Sequence, residues 1–110
     1  MSKPASPGSL TLRLEDANPA PPGFGTNAWT LLVLDENDEP VTDAVVHATP
    51  YMPAHTHGSA EVVVEEQGNG EYRLEPVVLN MPGVWEIAID VTPPGGESSE
   101  ALFTFCVPEL

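Results

Sequence analysis

The sequence predicts an all-β sandwich, and three observations carry that expectation. Apolar and polar residues alternate with period two through most segments. Clusters of Gly, Pro, Asn and Asp interrupt the alternation at short intervals. Thirteen prolines and nine glycines in 110 residues work against long helices. No helical stripe and no internal repeat stands out.

The strands follow in order. Ser9–Asp16 sets Leu10, Leu12 and Leu14 against Thr11, Arg13 and Glu15. Asn18–Gly25, rich in proline and glycine, predicts a connection. Asn27–Leu34 is apolar on both faces, as a central strand would be. An acidic turn, Asp35–Pro40, precedes a short strand over Asp43–Thr49, and Pro50–Ser59 is expected as a loop. Ala60–Glu66 predicts a strand. Gln67-Gly68-Asn69-Gly70 predicts a hairpin turn, because Asn and Gly accept positive φ. Glu71–Leu79 follows, with Pro76 marking an edge or bulge. After the Asn80–Gly83 turn, Val84–Val91 points Trp85, Ile87, Ile89 and Val91 inward. Beyond Pro93–Gly96, Glu100–Val107 points Phe103, Phe105 and Val107 inward. About seven antiparallel strands in this space give an immunoglobulin-like Greek-key β-sandwich. The Cys…Trp…Cys spacing of antibody domains is missing, so the architecture alone is implied.

The length allows one domain, assigned to residues 10–110, with residues 1–9 as a flexible N-terminal tether. A chain of this size buries roughly 65% of its unfolded surface, enough to fold without a metal staple. Three basic residues against seventeen acidic ones give a net charge of −14. That balance excludes nucleic-acid binding, which needs Lys and Arg to neutralise phosphates, and binding to an anionic membrane surface. It favours solubility and attracts cations. A single cysteine, Cys106, precludes an intramolecular disulfide. No run is long and apolar enough to span a membrane, and Met1–Ser9 lacks the apolar segment of a signal peptide. Two origins fit: a cytoplasmic protein, or an exported one whose signal or anchor has been removed.

The chemically distinctive segment is Met52-Pro53-Ala54-His55-Thr56-His57. In a seven-strand sandwich the third connection, which holds Met52, His55 and His57, shares an end with the fifth, which holds Met81. The last strand, with Cys106, finishes at that end too. Thioether and thiolate ligands select Cu(I), and imidazole serves both copper states. His-x-His in an extended segment puts both rings on one side. Methionine is a poor zinc ligand, so the pair of methionines points to copper. Plainer readings stand beside this one. Loop histidines are common, methionines fill core gaps, Cys106 fits an inert small residue, and His47, mid-strand, fits a packed or surface role. A Ser-His-acid triad lacks its Gly-x-Ser-x-Gly setting, and the Asp35–Glu39 turn lacks the spacing of a calcium loop. No catalytic residue is assigned, and no enzymatic activity is expected.

Four blocks, Pro40–Val46, Met52–Gly58, Gly68–Tyr72 and Leu79–Ile87, resemble the YtkA-like/FixH-like domain family, with the likeness running from about Leu10 to Val107. The resemblance implies an exported, often membrane- or lipid-anchored bacterial domain of immunoglobulin type, associated with copper handling or cytochrome oxidase assembly. It also implies that Met52, His55, His57 and Met81 occupy the metal positions; Cys106 stands outside the pattern. The expectation is therefore a periplasmic or extracytoplasmic domain. It would sequester a copper ion, or pass it to a receiving or from a donating protein, through an exposed Met/His site. Two other readings fit the same residues: a protein–protein interaction module that uses Tyr51 and Met52 as contacts, and a Cys–His copper redox centre.

Overall fold

In the computed structural model, residues 2–6, 8–18, 25–52, 57–58, 62–79 and 81–107 are described, with backbone alone at 16–18 and 57–58. Nine strands lie among them: β1 (Ser2–Pro4), β2 (Thr11–Asn18), β3 (Gly25–Leu34), β4 (Val45–Met52), β5 (His57–Gly58), β6 (Val64–Gly68), β7 (Glu71–Leu79), β8 (Gly83–Thr92) and β9 (Ser99–Val107). They form two sheets, ordered β1-β2-β3-β7-β6 and β5-β4-β8-β9, and every pairing is antiparallel. Without the short β1 and β5, the arrangement is four strands over three, the layout of a constant-type immunoglobulin domain.

Period two explains the layers. Burial alternates along all of β4 and β9, so each of these two strands gives one face to the core and one to water. Trp29, Tyr72, Trp85 and Phe103 are the largest fully buried side chains. Trp29 of β3 meets Phe105 of β9 across the layers, ring centres 5.2 Å apart and planes at 55°. Such a tilted pair adds about 0.5–1.5 kcal/mol to the area it buries.

Three expectations need correction. The tether over residues 1–9 is not free along its length: Ser2–Pro4 pairs with β2, Ala5 is in the core, and Ser6 exchanges two backbone hydrogen bonds of 2.9 Å with Glu100. Proline is tolerated on such an edge strand, and Gly8 at φ 112° turns the chain back. The loop expected over Pro50–Ser59 is shorter, because β4 continues through Met52 and pairs with β5. β5 reaches only Tyr51 and Met52, so β4 is still an edge at Pro50, where a missing N–H costs little. The strand expected from Ala60 begins its ladder at Val64, and position 60 lies outside the described residues. Pro76 sits where the β3–β7 register shifts, between the Asn27 and Trp29 pairings, which resolves its expected role as a bulge.

Tyr72 fastens the entry to β4. Its hydroxyl donates to the Val41 carbonyl (2.9 Å) and accepts from the Ala44 N–H (3.0 Å). Burial, with smaller contributions from Glu66 and Asp43, pushes the phenol above its ordinary range, so it stays a donor near neutral pH. Tyr72→Phe is expected to cost about 1–3 kcal/mol, because the part-buried Ala44 N–H loses its acceptor. A lower urea midpoint with unchanged slope would show it.

Candidate metal centre

Met52 ends β4, and the alternation of that strand turns it inward, where it is 1% exposed. Its Cα partner in the β4–β5 ladder is His57; partners in such a ladder lie about 4.5–5.5 Å apart at Cα. The methyl of Met52 reaches across to β8. A Cβ built on Gly83 would lie 2.9 Å from Met52 Cε, so the bare backbone at position 83, held at φ 128°, is the seat for that methyl group. Met81, two residues earlier, is half-buried against the core. Its carbonyl accepts a 2.9 Å hydrogen bond from Trp85 Nε1. This bond ties the turn before β8 to a tryptophan that is fully buried.

The structure therefore joins three of the four expected ligand positions through two contacts: Met52 with His57 by register, and Met52 with the Met81–Gly83 turn by packing. His55 lies outside the described residues, and His57 is described by its backbone. The expectation of an exposed site is corrected for Met52. The thioether is covered because a strand that places Ala48 and Pro50 inward must place residue 52 inward too.

Cys106 is exposed and pairs with Val84 on the outer face of the second sheet, whereas Met52 points into the core. The two sulfurs share an end of the sandwich but not a face, so a centre containing both does not form. His47 is also exposed on the outer face, opposite Asp90. Asp90 in turn faces Glu100. A side-chain hydrogen bond that the Asp90 carboxylate accepts from the Glu100 carboxyl, and then the Asp90 charge, raise Glu100 above the usual range. Among the described residues, no group of three or more His, Cys, Asp or Glu side chains is disposed to hold a metal.

Gly83 and Trp85 shape this end of the fold without being ligand types. Both lie in the Leu79–Ile87 block, but a seat for a distant methyl and a bond to a turn carbonyl have no signature in spacing. The donor set of the expected positions, thioether and imidazole, suits copper. A neutral thioether also loses little on burial, unlike a carboxylate.

A family profile described as YtkA-like matches residues 7–90. Among curated proteins, none matches the sequence. The fold is shared with solved structures, two of which are as follows. One is a DUF4426 family protein of Pseudomonas aeruginosa PAO1, with TM-score 0.65 and 12% identity, covering 98% of this chain and 100% of that one. The other is a copper-bound single-residue variant of FetP from uropathogenic Escherichia coli strain F11, with TM-score 0.63 and 10% identity, covering 98% of this chain and 95% of that one. The profile spans most of the chain and most of its strands, and the chain belongs to the YtkA-like family.

Proposed function

We propose that this is an extracytoplasmic copper-binding domain that sequesters copper or hands it on, chiefly as Cu(I), with Met52, His55, His57 and Met81 as its ligands. The observation that carries the reading is the pairing of Met52 with His57, together with the seating of the Met52 methyl on the turn that follows Met81. The copper-bound FetP structure shares the architecture, which supports the metal without assigning residues. In this reading the two histidines offer the first nitrogen ligands from the β4–β5 hairpin. The methionines supply neutral sulfur from the covered side, where little water competes. Thioether sulfur favours Cu(I) over Cu(II), and the charge of −14 raises the local concentration of cations. The domain binds and transfers; it is not read as an enzyme.

The test is an anaerobic Cu(I) competition against a chromogenic chelator, on wild type and on His55→Ala/His57→Ala. Wild type is expected to withdraw one equivalent, and the variant none, with the same melting curve. Equal uptake by both proteins would remove the histidines from the site.

A second reading, a protein–protein interaction module, draws on the outer face of the second sheet. Val45, Tyr51, Val84 and Leu102 are exposed there. Met52, once paired with Tyr51 as a contact, is buried and cannot serve. This reading predicts partner binding that the double histidine variant leaves unchanged.

A further inference from the structure

We infer that the site fills in two steps: Met52 is withheld from the metal by its seat on Gly83, and its sulfur joins only after the methyl leaves that seat. The inference rests on the copper reading above and adds a control to the same site. A thioether is a ligand only when its sulfur touches the metal, yet Met52 is 1% exposed. Met81, half-buried on its turn, is the more open of the two.

The turn side is fixed. The Met81 carbonyl accepts from Trp85 Nε1 at 2.9 Å, and Trp85 is fully buried. Gly83 opens β8 and pairs with Val107 of β9, so the wall of the seat belongs to a ladder. Met52 is held differently. It is the last residue of β4, and among the described residues only two of β5 pair with that end of the strand. What reaches Gly83 is Met52 Cε, the far end of a side chain with three rotatable bonds. Rotation about those bonds unseats the methyl without breaking a hydrogen bond of the sheet. The movable part is therefore the Met52 side chain, and the fixed part is the turn that carries Met81.

Order follows from this division: Met81 meets the ion before Met52 closes on it. The seat also carries a cost. A ligand that must first leave a favoured conformation lowers the apparent affinity by the fraction of time it is free. Weakening the seat should therefore raise both the rate of the second step and the affinity. Gly83→Ala weakens it, because the new Cβ falls 2.9 Å from Met52 Cε and a flexible chain end gives way. At φ 128° alanine is strained, so this variant should be less stable yet bind faster and more tightly. A merely structural role for Gly83 would not produce that opposition.

The experiment mixes the full chain with Ag(I), a soft ion that stands in for Cu(I) and survives air. The parent chain and its variants all carry Cys106→Ser, since the exposed thiol would compete for the ion. Stopped-flow tryptophan fluorescence follows uptake, and NMR follows the contact between the Met52 methyl and the Gly83 α-protons. The parent is expected to show a fast phase that scales with Ag(I) and a slow phase that levels off. The methyl–Gly83 contact should be present in the metal-free chain and lost at one equivalent. Met52→Leu should keep the fast phase and lose the slow one. Gly83→Ala should speed the slow phase several-fold at a lower melting temperature. If Gly83→Ala does not fold, Met52→Leu and the NMR contact carry the test. Uptake in one phase that scales with Ag(I) throughout would overturn the inference, as would a methyl–Gly83 contact that persists in the loaded chain. Weaker equilibrium binding by Met52→Leu beside either result leaves the copper reading standing. No uptake by the parent would remove the copper reading itself, and the inference with it.

Discussion

Met52→Ala is expected to lower the stability of the fold by about 2–5 kcal/mol, the cost of emptying a buried methionine site. Against a typical total of about 5–15 kcal/mol for a small domain, that is a large share. The reason is local: Met52 is 1% exposed, and its methyl fills the space left by the missing side chain at Gly83. Alanine would leave a void where β4, β5 and β8 meet. Met52→Leu separates the two roles of this residue. It keeps the volume, so the stability loss should stay below about 1.5 kcal/mol, but it removes the sulfur. Cu(I) affinity should then fall while Cu(II) affinity changes little, since imidazole serves both states. Unchanged Cu(I) affinity in Met52→Leu would reduce Met52 to a packing residue.

Gly70→Ala should be nearly as damaging, from a position that carries no chemistry. Gly70 has φ 79°, where an L side chain costs roughly 1–2 kcal/mol. The added Cβ would also lie 2.8 Å from Pro40 Cβ and 3.0 Å from both Pro40 Cα and the Val33 carbonyl oxygen. These neighbours are backbone and ring atoms that cannot swing aside, and overpacking of that kind costs about 1–3 kcal/mol more. The Gly70 carbonyl also accepts from Val33 N–H at 2.9 Å, so any shift strains that bond. Gly68 is the internal control. It has φ 91° but nothing within 4 Å of its Cβ position. Gly68→Ala should therefore cost only the conformational part. Equal urea midpoints for the two variants would show that the contact with Pro40 relaxes freely.

Much of the fold was legible because period two is a local property. The strand expected over Glu71–Leu79 has those bounds, and the inward sets of Val84–Val91 and Glu100–Val107 are buried as expected. What was not legible depends on distant partners. β1 exists because Ser2–Pro4 finds β2 and Ser6 finds Glu100; the opening residues, read alone, have the composition of a linker. The extension of β4 through Pro50 was hidden because proline ordinarily ends a strand, and only an edge position permits it. The candidate site was half legible. The convergence of residues 52, 57 and 81 on one end follows from connectivity, but the burial of Met52 follows from a strand that runs three residues past its expected end at Thr49. The face of Cys106 could have been read from alternation: if Phe105 and Val107 face in, Cys106 faces out. The seat at Gly83 and the clamp from Trp85 to the Met81 carbonyl needed the structure.

The most direct test of the copper site is the copper K-edge X-ray absorption spectrum of the Cu(I)-loaded chain, because it reads the ligand atoms themselves. A first shell containing both imidazole nitrogen and thioether sulfur is predicted, with the sulfur component reduced in Met52→Leu. A shell of nitrogen and oxygen alone in wild type would contradict the account, since it would leave Met52 and Met81 as packing residues beside a surface histidine site.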